Sequence, residues 1–118
     1  MNSGEALIYH IAHAEVWMKA VQAGMYEGDT LATEGFIHCS TAQQVLATAE
    51  RIFRGQRDLV LLEIESARVQ AEIRYEALYG PEAFPHIYGA LNIDAVRQVA
   101  ALNEDEQGHF AWPFGAQA

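Results

Sequence analysis

The chain has 118 residues and a single cysteine, Cys39, so an internal disulfide framework is excluded and a reducing compartment is expected. Basic residues are scarce: Lys19 is the one lysine, and 7 cations face 16 acidic residues for a formal charge of -9. Nucleic-acid affinity comes mostly from Lys and Arg on phosphates, so a long polyanion is not an expected partner. No apolar run approaches the roughly 20 residues that span a bilayer. Met1-Asn2-Ser3-Gly4-Glu5 lacks the basic region and apolar core of a signal peptide. These absences predict a soluble cytoplasmic protein with no nucleic-acid or membrane partner. Close-spaced metal ligands are missing too. There is no His-x-x-x-His or Cys-x-x-Cys, and His10-x-x-His13 falls across a strand-to-helix junction, so no tightly bound transition metal is expected. Repeats, low-complexity segments and linkers are also absent.

What the chain does have is 51% hydrophobic residues in the length of one domain, enough for a core without staples. Six segments read as strands: 6–12, 35–39, 59–64, 72–76, 86–91 and 96–102. Leu59-Val60-Leu61-Leu62-Glu63-Ile64 is almost unbroken in its apolar character, which suggests a central position. Val16, Trp17, Ala20 and Val21 recur at helical spacing within Ala14 to Ala23, and Gly24 supplies a stop. Ser40-Thr41-Ala42-Gln43 resembles a capping box that opens a helix running to Phe53, with Val45, Leu46, Ala49, Ile52 and Phe53 as its buried stripe. Met25 to Glu34 and Tyr79 to Pro85 read as loops, and 66–70 as one helical turn. In the tail, 103–118, Phe110, Trp112 and Phe114 are expected to dock on the body. The predicted fold is α+β: a small, strongly bent mixed sheet, or two small sheets, of about six strands with two main helices.

Three of the strands carry a histidine at mid-segment: His10, His38 and His86. Strand side chains alternate faces. Phe36, His38 and Ser40 therefore share a face opposite Ile37 and Cys39, and His86 and Tyr88 share one opposite Ile87. Each segment so offers an aliphatic face to a core and a face bearing imidazole, hydroxyl or phenol, and a shared pocket is the leading reading. His10 and His38 are the candidate catalytic groups, since imidazole serves as acid or base near neutral pH. Ser40 and Thr41, at the predicted helix N-terminus, would hold an anion; His86, Tyr88 and Asn92 would complete the ligand contacts. The plainer alternatives stand beside these: Ser40 as a cap, His10 and His38 as satisfied core histidines, and His86 and Tyr88 as an ordinary turn-to-strand junction. Cys39 points toward the core rather than toward His38, and Glu34, Arg51 and Arg54 read as pocket borders or solvated surface charges.

The strings Ile8-Tyr9-His10-Ile11, Glu34-Gly35-Phe36-Ile37-His38-Cys39-Ser40-Thr41, Arg54-Gly55, Leu59 to Ile64 and Phe84-Pro85-His86-Ile87-Tyr88-Gly89-x-Leu91-Asn92 resemble a bacterial family known as domain of unknown function 952. The resemblance covers residues 6–102 and leaves the aromatic tail outside. That family is similar, more distantly, to the ADP-ribosyltransferase fold, which binds NAD in a cleft between two small sheets. The resemblance implies that His10 contacts the NAD ribose and that His38, with Ser40 beside it, meets the nicotinamide. The glutamate that commonly completes the transferase set has no counterpart in the late motif, which offers His86, Tyr88 and Asn92. NAD as a substrate, or an ADP-ribosylated or phosphorylated small molecule, is the expected ligand. A non-catalytic binding module is the alternative, and a metal-dependent hydrolase using the three histidines a further one.

Overall fold

A computed structural model describes residues 6–115. The signal-peptide reading of residues 1–5 and the last three tail positions lie outside the described residues. Among the described residues eight strands form three sheets, and every pairing is antiparallel, so the expected mixed sheet is corrected. The first sheet has the order β1 (Leu7–His13), β4 (Leu59–Glu65), β8 (Val96–Leu102). A second joins β3 (Ile37–His38), β6 (Phe84–Tyr88) and β5 (Glu72–Glu76). A short pair unites β2 (Met25–Tyr26) with β7 (Leu91–Asn92). No helix among the described residues is long and apolar enough to cross a membrane.

The apolar run of β4 has its reason in two-sided burial. Leu62 and Ile64 face a core shared with Ile8, Trp17, Ile37 and Ile87, beneath α1 (Ala14–Ala23). Leu59 and Leu61 face a second core with Tyr9, Ile11, Val45 and Ala49, beneath α3 (Val45–Ile52). Glu63 is buried on this second face, where Tyr9 Oη donates to it at 2.8 Å and Gln98 Nε2 at 2.8 Å, so the buried carboxylate is satisfied. The tail docks as expected: Phe110 is buried, and Trp112 lies edge-on to Tyr9 with ring centroids 5.1 Å apart. Helix α1 has its predicted bounds and ends at Gly24 in a left-handed turn, φ 92°, with its N–H bonded to the Ala20 carbonyl.

Several boundaries differ from the expectations. The segment 25–34 contains β2 and a one-turn helix α2 (Leu31–Glu34); neither is long enough to show a period. The predicted strand 86–91 begins at Phe84, stops at Tyr88, and resumes as β7 after Gly89. The helix expected from Ser40 begins at Val45. Ser40 instead continues the strand pairing: its N–H and carbonyl bond Tyr9 at 2.8 and 2.7 Å, linking the β1 and β3 sheets. One half of such a box sits one residue later. Gln44 Oε1 accepts the Thr41 N–H at 3.0 Å, and the Thr41 carbonyl accepts the Val45 N–H. Ile52 is 53% exposed rather than buried, on the side of α3 that turns away from the core.

Candidate functional site

Between the two three-stranded sheets, α3 and the 77–83 loop lies a cleft of about 1010 Å³. The structure brings His10, His38, Ser40 and His86 to its lining. It does not bring Thr41, Tyr88 or Asn92 there. Thr41 serves the turn before α3. Asn92 is buried and spends its amide on structure: Oδ1 accepts the Gln70 N–H at 2.9 Å, while Nδ2 donates to the Arg68 carbonyl and to Asp94. Tyr88 acts on the site through a carboxylate behind His86.

His10 is engaged on both nitrogens. Nδ1 lies 2.5 Å from the His38 carbonyl, which can only accept, so Nδ1 carries the proton. Nε2, 2.7 Å from Tyr26 Oη, then accepts the phenol hydrogen. Desolvation lowers the His10 pKa to about 4, against the pull of the His38 carbonyl, and burial raises the Tyr26 phenol above its ordinary value. His10 is thus a neutral clamp tying β1 to β2 and β3. Its lone pair and its N–H are both in use within the protein, whereas the sequence reading gave this ring a ligand-binding or acid–base role.

His38 and His86 are arranged otherwise. His38 Nε2 donates to Glu34 Oε1 at 3.1 Å, and Tyr79 Oη donates to the same oxygen at 2.9 Å. His86 Nδ1 donates to Glu76 Oε1 at 2.8 Å, and Tyr88 Oη donates to that oxygen at 2.6 Å. These bonds hold the Glu34 and Glu76 carboxyls below the usual carboxylate range, the Tyr79 bond contributing most at Glu34 and the His86 bond most at Glu76. Each site is therefore a tyrosine–glutamate–histidine chain that fixes the imidazole tautomer. His38 Nδ1 and His86 Nε2 have no hydrogen-bond partner among the described residues, and both rings border the cleft 5.4 Å apart, edge to face. Phe36 stacks on His86 with ring centroids 4.3 Å apart and locks it in place. The paired arrangement offers two oriented lone pairs on one cavity, the geometry needed to take and return protons.

The chain can be compared with known proteins on this basis. The family described as "Protein of unknown function (DUF952)" matches residues 11–99. The chain belongs to this family. Its fold is similar to the crystal structure of protein CC0527 from Caulobacter crescentus: TM-score 0.82 and 36% identity over 89% of this chain and 93% of that one. The solution NMR structure of CC0527 gives a TM-score of 0.77 and 38% identity, over 87% and 90%. No curated protein matches the chain. The family match takes in both tyrosine–glutamate–histidine chains and all of the sheets except the first four residues of β1 and the last three of β8.

Sequence reasoning missed Tyr26, Glu76 and Tyr79, and read Glu34 as a pocket border or a surface charge. Glu34 stands four positions before His38, but the turn at Gly35 that folds them together has no periodic signature. Glu76 reaches His86 through the β5–β6 register, in which Arg74 opposes His86 and Glu76 opposes Phe84. A diagonal cross-strand pair of this kind depends on the register alone. Cys39, as expected, packs in the core, where burial pushes its thiol well above the ordinary cysteine range.

Proposed function

We propose that this protein is a cytoplasmic enzyme that binds a ribose- and phosphate-bearing small molecule, NAD or an ADP-ribosylated compound, and moves protons on it with His86 and His38. One observation carries the reading: two carboxylate-oriented imidazoles face one cleft with ring centroids 5.4 Å apart. Its volume suits a dinucleotide-sized ligand. His86 Nε2 acts as base, Glu76 stabilises the imidazolium that forms, and His38 Nδ1 serves as the partner group; Glu76 and Glu34 are positioning residues. Tyr79, which lines the cleft beside His38, provides aromatic surface for a base or nicotinamide ring. The distant resemblance to the ADP-ribosyltransferase fold supports this ligand class, with a cleft lying between two small sheets and His10 on the first strand. A metal-dependent hydrolase is disfavoured because both nitrogens of His10 are already bonded within the protein. That same engagement favours, as a second reading, a binding module without turnover.

The test joins binding to product analysis. Calorimetric titration with NAD and ADP-ribose is paired with mass spectrometry of the incubated ligands, for the native protein, His86→Gln and Glu76→Gln. Turnover should fall roughly 100-fold or more in His86→Gln, the range for loss of a general acid or base, with affinity changed only a few-fold. Glu76→Gln should lose less and shift the pH profile. Binding with no conversion in the native protein selects the binding module. Conversion that survives both substitutions rejects the assignment of His86.

A further inference from the structure

We propose that the α3 wall of the cleft is a phosphoryl-binding subsite in which Arg51 recognises the anion and Thr48 and Ser40 donate their hydroxyls. The inference rests on the reading of the cleft as a ligand site and adds the part of the ligand that this wall holds. On a chain of charge -9 the placement of each cation is informative. Arg68, Arg74 and Arg97 are paired with Glu65, Glu72 and Glu63, and Arg54 donates to the Gly108 carbonyl. Lys19 and Arg57 line a separate surface hollow that also contains Glu15 and Asp58. Arg51 borders the main cleft and makes no ion pair or hydrogen bond among the described residues. It is the cation that the fold leaves unspent there.

Thr48 stands three residues before Arg51 on α3, so the two share a helix face. Ser40 meets that face from the end of β3. Ser40 is 4% exposed, yet its hydroxyl has only a long 3.5 Å contact with Thr48 Oγ1 while lining the cleft. A buried hydroxyl so weakly satisfied, in the same cleft lining as an unpaired guanidinium, suits an incoming oxyanion. The cleft carboxylates come from other elements: Asp29 and Glu34 from the α2 region, and Glu82 from the loop that Gln44 straps down at 3.0 Å. The cavity is thus polarised, with an anion-accepting wall on α3 and the acid–base pair on the β3–β6 sheet. A phosphoryl group is favoured over a carboxylate because its several oxygens can use the guanidinium fork and both hydroxyls together.

The experiment is side-chain and amide NMR of the full chain titrated with inorganic pyrophosphate, succinate and ADP-ribose, repeated on Arg51→Gln and Arg51→Lys. Arg51 is exposed and Gln is a good helix former, so both variants should unfold as the native protein does. Pyrophosphate should perturb Arg51 and Thr48 and leave His38 and His86 unmoved; ADP-ribose should perturb both groups. Arg51→Gln should weaken pyrophosphate by about tenfold or more, as expected for losing a charged hydrogen-bond donor, and Arg51→Lys by less. No perturbation at Arg51, an unweakened Arg51→Gln, or succinate binding as well as pyrophosphate would each overturn the inference. If pyrophosphate marks Arg51 while no ligand reaches His38 or His86, the subsite stands and the proposed chemistry fails.

Discussion

His10 carries a measurable consequence of its burial. Its pKa is about 4 in the fold, against the ordinary 6.5 in the unfolded chain. Below pH 6.5 the unfolded chain therefore takes up a proton that the folded chain refuses, and stability falls with pH until about pH 4, where both forms are protonated. The loss from this one group should reach about 3 kcal/mol, from 1.36 kcal/mol for each pKa unit. Urea unfolding at pH 7, 6 and 5 measures it, and the difference between the native protein and a His10 variant removes the contribution of carboxylates that begin to titrate near pH 5. His10→Asn should flatten that slope; an unchanged slope would show that His10 is not the group responsible. The chemistry of the other residues follows from neighbours that single positions do not reveal. His38 and His86 were legible as strand histidines, but which of their nitrogens is free depends on Glu34 and Glu76, and these arrive by folding.

Among the elements, the long periodic ones could be read and the short ones could not. Helix α1 and strands β5 and β8 show their period, and β4 its unbroken apolar run, over enough residues to be recognised. Strands β2, β3 and β7 have two residues each, and they exist because a partner edge is there to pair with. The break between β6 and β7 has a local cause. Gly89 has φ 152°, and a Cβ placed on it would lie 2.9 Å from the Ala71 Cβ. Gly89→Ala should therefore force the chain away from Ala71 and destabilise the fold by roughly 1–3 kcal/mol, the usual cost of overpacking. Chemical denaturation checks this, and a variant as stable as the native protein would show that the segment relaxes freely. The shift of the helix start from Ser40 to Val45 belongs to this scale as well. Two strand hydrogen bonds to Tyr9 outcompete the local capping choice, so the anion cradle expected at Ser40 is not built there by a helix end.

For the molecule as a whole, the tail is part of the core rather than an appendage. Phe110 is 4% exposed in the cluster with Tyr9, Leu59 and Leu102, and a bridge between Glu104 and Phe110 closes the turn that delivers it. Phe110→Ala should cost about 3–5 kcal/mol, the range for removing a buried phenyl ring. A urea midpoint unchanged by this substitution would mean that the tail contributes little. The α+β class, the central place of β4, the extent of α1 and the docking of the aromatic tail were determined by the sequence alone, because hydrophobic period and composition are local properties of the chain. The grouping of strands into three antiparallel sheets, the Tyr9–Ser40 bridge and the pairing of Glu76 with His86 were decided only by the tertiary structure. Those contacts depend on strand register, which is chosen by the packing of both faces at once, even where, as for Glu76 and His86, the partners are only ten residues apart. The histidines could therefore be singled out one at a time from the sequence, while the relation that leaves one nitrogen unbonded on His38 and on His86 and engages both on His10 exists only in the folded protein.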